Sequence, residues 1–184
     1  VEVGVQKAHY IEELLSRWSS AWVVFGVDPW SDVSNYNDTA NVGAREQQQA
    51  FEDARQGTAR FKHRVRLVRG TSPDAARHFV DGSLDFVYID ARHDYASVAA
   101  DCAAFWRKLR RGGILSGHDF LDADEARLRL GPSNDWAVLP DGTRQPEGKA
   151  VRSAVVEFAE AMQRQVQVTY MEGRAGIPSW LIRK

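Results

Sequence analysis

Two short stretches of the chain hold residues able to bind a metal ion or move a proton. Asp90 and His93 stand in Ile-Asp-Ala-Arg-His, and His118 and Asp119 stand in Ser-Gly-His-Asp. Asp90, His118 and Asp119 together supply two carboxylates and an imidazole. Such an oxygen-rich set suits Mg2+, which keeps several waters and takes one or two carboxylates. His93 lies close enough to Asp90 to act on a substrate held by that ion. A neutral imidazole titrates near neutrality, so His93 is the candidate general base. A single His at a strand end is ordinarily a satisfied loop residue, and a His-Asp pair is ordinarily a cap for its own loop. Both standing beside Asp90 is a less ordinary coincidence and points to a site.

Each pair follows an apolar run. Phe86–Ile89 and Ile114–Ser116 read as buried strands, and Tyr95, Val98, Cys102, Phe105 and Leu109 form the apolar stripe of a helix between them. Gly112-Gly113 is expected to stop that helix. Earlier strands are predicted at Val1–Val5, Ala21–Val27 and Val65–Val68, with a helix through Tyr10, Ile11, Leu14, Leu15 and Trp18. Arg45–Arg55 reads as a surface helix. Another starts at Ser72-Pro73-Asp74, with Ser72 as N-cap, and runs to Val80. Ser31–Ala44 and Leu121–Lys149 read as loops, the second long enough to expect a functional role. Val151–Met162 is a last helix. Val166, Val168 and Tyr170 alternate as a strand, and Ile177–Ile182 returns beside it across Glu172–Gly176.

This alternation predicts one α/β domain over residues 1–184, with a doubly wound, mostly parallel seven-stranded sheet, a C-terminal antiparallel hairpin and helices on both faces. Parallel strands place their carboxyl ends on one edge, where open sheets bind ligands. All four reactive residues then meet there. The chain opens on a strand-like segment, Val1, and a preceding helix is expected.

Two further features sit at that edge. Gly4, at the end of the first strand, lets the backbone bend near a ligand. Asp28, ending the second strand in Gly-Val-Asp-Pro-Trp, can accept from a ribose diol, although an Asp before Pro is commonly a turn residue. Trp30 could flank an adenine. Thr71 and Ser72 follow the third strand and could reach a purine edge, Ser72 while also capping its helix. No G-x-G-x-x-G fingerprint is present, which disfavours a pyrophosphate and an NAD-dependent dehydrogenase.

Composition narrows the class. The 184 residues carry a net charge of −1, with 24 basic and 25 acidic side chains, so no nucleic-acid or anionic-membrane footprint is expected. No apolar run could cross a bilayer, and no signal peptide is present. Cys102 is the only cysteine, which excludes an internal disulfide and is compatible with the cytoplasm. It falls on the apolar face of its helix and reads as a small buried hydrophobe. His9, His63 and His78 have no reactive company and read as surface residues.

The segments VEVGV at 1–5, GVDPW at 26–30, DFVYIDARHDY at 85–95, GGILSGHD at 112–119 and SWLIRK at 179–184 resemble class I S-adenosylmethionine-dependent methyltransferases. The likeness is to the small-molecule O-methyltransferase group with D-x-x-H and G-H-D tips and a Rossmann-like sheet. It implies that Glu2 and Gly4 meet the methionine end of the cofactor, Asp28 the ribose, and Trp30, Thr71 and Ser72 the adenine. Asp90 would lie near the sulfonium. Asp90, His118 and Asp119 would hold Mg2+, with His93 as base. His118 departs from the group, where a carboxylate is usual. A small hydroxylated acceptor and, in solution, a homo-oligomer fit this picture. Two other readings remain open from the residues: a metal-dependent hydrolase or hydroxylase-like enzyme using the same Asp/His cluster, and a non-catalytic Rossmann-like binding domain.

Overall fold

The computed structural model describes residues 1–169 and 176–184. Seven strands form one sheet: β1 (Glu2–Val3), β2 (Val24–Asp28), β3 (Val65–Arg69), β4 (Leu84–Ile89), β5 (Leu109–Gly117), β6 (Val166–Val168) and β7 (Trp180–Arg183). Their spatial order is β3-β2-β1-β4-β5-β7-β6, with β1 to β5 parallel and β7 antiparallel to both neighbours. The chain winds one way through β1, β2 and β3, then crosses back to β4. The boundary between β1 and β4 is therefore the topological switch point, where a doubly wound sheet opens a crevice.

Among the described residues, six α-helices flank the sheet: α1 (His9–Arg17), α2 (Ala44–Thr58), α3 (Ser72–Ala76), α4 (Tyr95–Lys108), α5 (Ala123–Leu130) and α6 (Val151–Ala161). Two apolar clusters hold the layers together. Val87, Ile89, Leu115 and Ile182 of the sheet pack with Val98, Cys102 and Phe105 of α4 and Val151, Ala154 and Val155 of α6. Val5, Ile11, Leu15 and Val24 pack with Ala50 and Ala54 of α2. Cys102 is fully buried, and burial pushes its thiol far up, as expected for a packing residue. No helix among the described residues is long and apolar enough to cross a membrane.

Several local expectations are corrected. Leu121–Lys149 is not wholly loop, because Asp122 and Glu125 build a capping box that starts α5. Gly112-Gly113 does not stop α4, which ends at Lys108. The two glycines lie within β5, where Leu84 pairs with Leu109 but Phe86 pairs with Ile114, so the intervening residues bulge outward. At the C-terminal end of α4, the Lys184 ammonium donates to Trp106 O in the last turn at 2.7 Å and to Leu109 O just beyond it at 2.8 Å. The predicted second strand starts too early, since Trp22 is 85% exposed and β2 begins at Val24. The N-cap of α3 is Thr71 rather than Ser72, and the helix closes at Ala76, short of Val80. Tyr170 and most of Glu172–Gly176 lie outside the described residues. His9, His63 and His78 are exposed, as expected.

Candidate functional site

The strand tips line up by backbone hydrogen bonds. Gly4 N donates to Val27 O (2.8 Å), Asp90 N to Val3 O (2.7 Å), Gly70 N to Asp28 O (3.0 Å) and His118 N to Ile89 O (3.1 Å). Gly4, Asp28, Asp90 and His118 thus share one edge, and a cleft of about 910 Å3 opens over it.

On the β4–β5 side, the reactive cluster forms. His93 Nε2 lies 3.1 Å from Asp119 Oδ2 and 3.7 Å from Asp90 Oδ1. This nitrogen is buried and lies against both carboxylates without hydrogen-bond geometry to either. Asp119 reaches the cluster from a left-handed backbone conformation, φ 56°, which short polar Asp tolerates better than most residues. Donor atoms of Asp90, His93 and Asp119 all lie within 4.8 Å of one another, a spacing fit for one cation. His118 is not in that set. Its Nδ1 sits 3.3 Å from Asp119 Oδ1, and its side chain is 29% exposed.

Three residues outside the expected set complete the surroundings of His93. Nδ1 meets Asp38 Oδ2 at 3.1 Å and the Tyr36 hydroxyl at 3.0 Å. Asp38 Oδ2 also accepts from Trp136 Nε1 at 2.8 Å, and the Trp136 ring lies 4.5 Å from the imidazole. Tyr36 and Asp38 come from the loop before α2, Trp136 from the loop after α5. Both are poor in hydrophobic periodicity, so pattern reading passed over them. The available signal was Trp136 itself, a large aromatic in a polar stretch, and it is 1% exposed.

Charge around His93 shifts its titration. Burial would lower its pKa, but Tyr36, Asp119 and Asp38 outweigh that and raise it well above the ordinary imidazole value. Burial disfavours ionisation of Asp119, yet the two imidazoles, His93 foremost, hold it well below the usual carboxylate range. Burial raises Asp90 above the usual range, against the pull of His93.

The two loops are laced over this cluster. Arg92 pairs with Asp94 and donates to Ser34 O (3.1 Å) and Val138 O (3.1 Å). Asn35 Nδ2 donates to Pro140 O (3.0 Å), and Asp135 N to Asn37 O (2.9 Å). Asp94, the N-cap of α4, accepts from Ser97 N at 3.0 Å.

On the β1–β2–β3 side, the expected nucleoside residues are placed unevenly. Asp28 lines the cleft, and its Oδ2 accepts from Val5 N (2.8 Å) and Gln6 N (3.0 Å), so it also fixes the turn after β1. Glu2, 3% exposed, carries a buried Oε2 with no partner, which an ammonium at the cleft would satisfy. Thr71 and Ser72 line the cleft. Trp30 does not: it is 1% exposed, packs on Phe51 with ring centroids 4.8 Å apart, and donates Nε1 to Gln6 O at 2.8 Å. It is a core residue and cannot flank an adenine.

Ser72 Oγ donates to Asp101, a buried carboxyl on α4 that also lines the cleft. Burial raises Asp101 to about 7. The folded chain therefore holds a proton that the unfolded chain has lost between the ordinary carboxylate range and pH 7. This stabilisation is complete below that range and disappears as pH rises through 7; it is worth at most about 4 kcal/mol. Asp101→Asn mimics the protonated form. Wild-type stability relative to this variant should fall from pH 5 to about pH 7 and level off above it in urea denaturation, and a pH-independent difference would contradict the assignment.

Comparison with known proteins gives a consistent picture. A family model described as a methyltransferase domain matches residues 5–120. No curated protein matches the chain. Among solved structures, the O-methyltransferase from Bacillus cereus in complex with SAH is 16% identical with a TM-score of 0.62, over 100% of this chain and 72% of that one. The O-methyltransferase TomG from Streptomyces achromogenes, involved in tomaymycin synthesis and solved with SAM, is 12% identical with a TM-score of 0.63, over 99% and 70%. Spermidine synthase from Thermotoga maritima, 13% identical with a TM-score of 0.58 over 100% and 51%, shows the same fold under a different activity.

Proposed function

Since the chain belongs to the methyltransferase-domain family, we propose that it is an S-adenosylmethionine-dependent O-methyltransferase acting on a small hydroxylated acceptor. The observation that carries this reading is the meeting of two half-sites at the switch point: the Glu2–Gly4–Asp28 edge and the Asp90–His93–Asp119 cluster border one cleft. The methyl donor lies across β1 and β2, with its ammonium near Glu2, its ribose at Asp28 and its adenine toward Thr71 and Ser72. The acceptor lies under the two laced loops.

Methyl transfer asks little covalent help of the protein. An acceptor oxygen attacks the methyl carbon in line with the carbon–sulfur bond, whose electron pair leaves with sulfur, and placement supplies most of the acceleration. The hydroxyl proton must also leave. We assign that proton to a carboxylate of the cluster; Asp90, with 34% of its side chain exposed, is the accessible one. His93, held by Asp38, orients the cluster. A dication at these residues, Mg2+ in the simplest case, would polarise the acceptor oxygen and lower its pKa.

The hydrolase reading loses its ground with the family match. Isothermal titration with S-adenosylmethionine tests the proposal. We expect binding in the micromolar range, weakened at least about tenfold in Glu2→Gln, where an amide replaces the carboxyl group that can ionise to pair with the ammonium. Absence of any binding heat from folded protein would overturn the reading.

A further inference from the structure

We propose that Asp90, His93 and Asp119 form a binding site for a transition-metal dication, with His93 Nε2 as a direct ligand. The inference goes beyond the methyltransferase reading and needs it only for the position of the acceptor.

Four observations converge. The separation of Nε2 from Asp119 Oδ2, 3.1 Å, is that of neighbouring donors around one small cation, and Asp90 Oδ1 follows at 3.7 Å. Two ligands held at about 2.1 Å and at right angles lie about 3.0 Å apart. Second, Nε2 is buried and faces the oxygens of Asp119 and Asp90 without hydrogen-bond geometry to either, an arrangement that a shared cation would satisfy. Third, the other ring nitrogen is tied to Asp38 Oδ2, which Trp136 holds in turn. A metal-bound imidazole characteristically has its second nitrogen fixed by a carboxylate, which sets the tautomer and the ring plane. Fourth, His118 stands aside on Asp119 Oδ1, leaving Oδ2 as the oxygen that faces His93.

The ligand set decides the metal. Carboxylates alone suit Mg2+, whereas an imidazole shifts preference toward Mn2+, Fe2+, Co2+ and Zn2+. The cluster thus offers two carboxylates and one nitrogen, and the nitrogen comes from His93 rather than His118.

Tag-free protein freed of metal by chelation tests this with metal alone and no methyl donor, so its outcome is separate from that of donor binding. Co2+ should give visible absorption bands on titration. Co2+ and Zn2+ should bind at least tenfold more tightly than Mg2+ by calorimetry. His93→Ala should weaken Co2+ at least tenfold while changing Mg2+ affinity far less, and His118→Ala should leave Co2+ affinity within threefold. Should His93→Ala fail to fold, the 15N resonance of the His93 ring in wild-type protein gives the answer: Zn2+ should move Nε2 strongly and Nδ1 weakly. Mg2+ binding as tight as Co2+, unchanged Co2+ affinity in His93→Ala, or an unmoved Nε2 resonance would each overturn the proposal.

Discussion

Replacing His93 with alanine is expected to lower methyl transfer at least about a hundredfold and leave the dissociation constant for S-adenosylmethionine within about threefold. The asymmetry follows from place. His93 touches Asp38, Tyr36, Asp90 and Asp119. The proposed donor contacts at Glu2, Asp28 and Ser72 lie on the other side of the switch point. Asp38→Asn should behave as a milder version, lowering turnover about tenfold to a hundredfold, because it loosens the imidazole without removing it. Single-turnover rates and titration calorimetry on the same preparations separate the two quantities. Full activity in His93→Ala would remove the residue from the mechanism, and a parallel loss of donor binding would mean that the substitution had damaged the cleft as a whole.

Gly4→Ala is expected to cost the fold itself, by about 4 kcal/mol or more, so that little native protein survives at 37 °C. Gly4 has φ 85°, a conformation that an L side chain adopts only under strain. A Cβ built there would stand 1.9 Å from Asp90 O and 2.7 Å from Ala91 Cα, both backbone atoms that cannot swing aside. The added methyl would wedge β1 from β4 at the switch point. Gly70→Ala is the internal control, since nothing lies within 4 Å of its Cβ position and its φ is ordinary. It should change stability by no more than about 0.5 kcal/mol. Equal denaturation midpoints for the two variants would show that the strand junction yields more readily than its geometry indicates.

The contrast between Gly4 and Gly112 shows what could be read in advance. Both were legible as backbone breaks, but only the first was put to its real use. Gly4 closes an apolar strand before a helix, a local pattern with one reading. Gly112-Gly113 follows a helix, and the ordinary reading of such a pair is a stop. The bulge they form depends on pairing with Leu84 and Phe86, some 25 residues away, which no local pattern carries. The same limit governed the site. Asp90, His93 and Asp119 follow apolar strands and could be placed at the sheet edge from the alternation alone. Asp38, Tyr36 and Trp136 sit in loops whose course is set by hydrogen bonds to each other and to Arg92. Trp30 was misjudged for a related reason: an aromatic beside a strand tip can turn to the cleft or to the core, and α2, which supplies Phe51, decided for the core.

The lacing of the two loops has an evolutionary reading. Arg92 grips Ser34 and Val138 by their carbonyls, Asn41 grips Val33 and Tyr36 by theirs at 2.8 Å, and Asn35 takes that of Pro140. Every residue has a carbonyl, so the roof over the cleft, under which we propose the acceptor to lie, is held by groups that substitution does not remove. Side chains hanging from that roof can drift to suit new acceptors while its shape persists. A lineage built this way could diversify its products through the loops alone, leaving the donor side and the cluster beneath untouched.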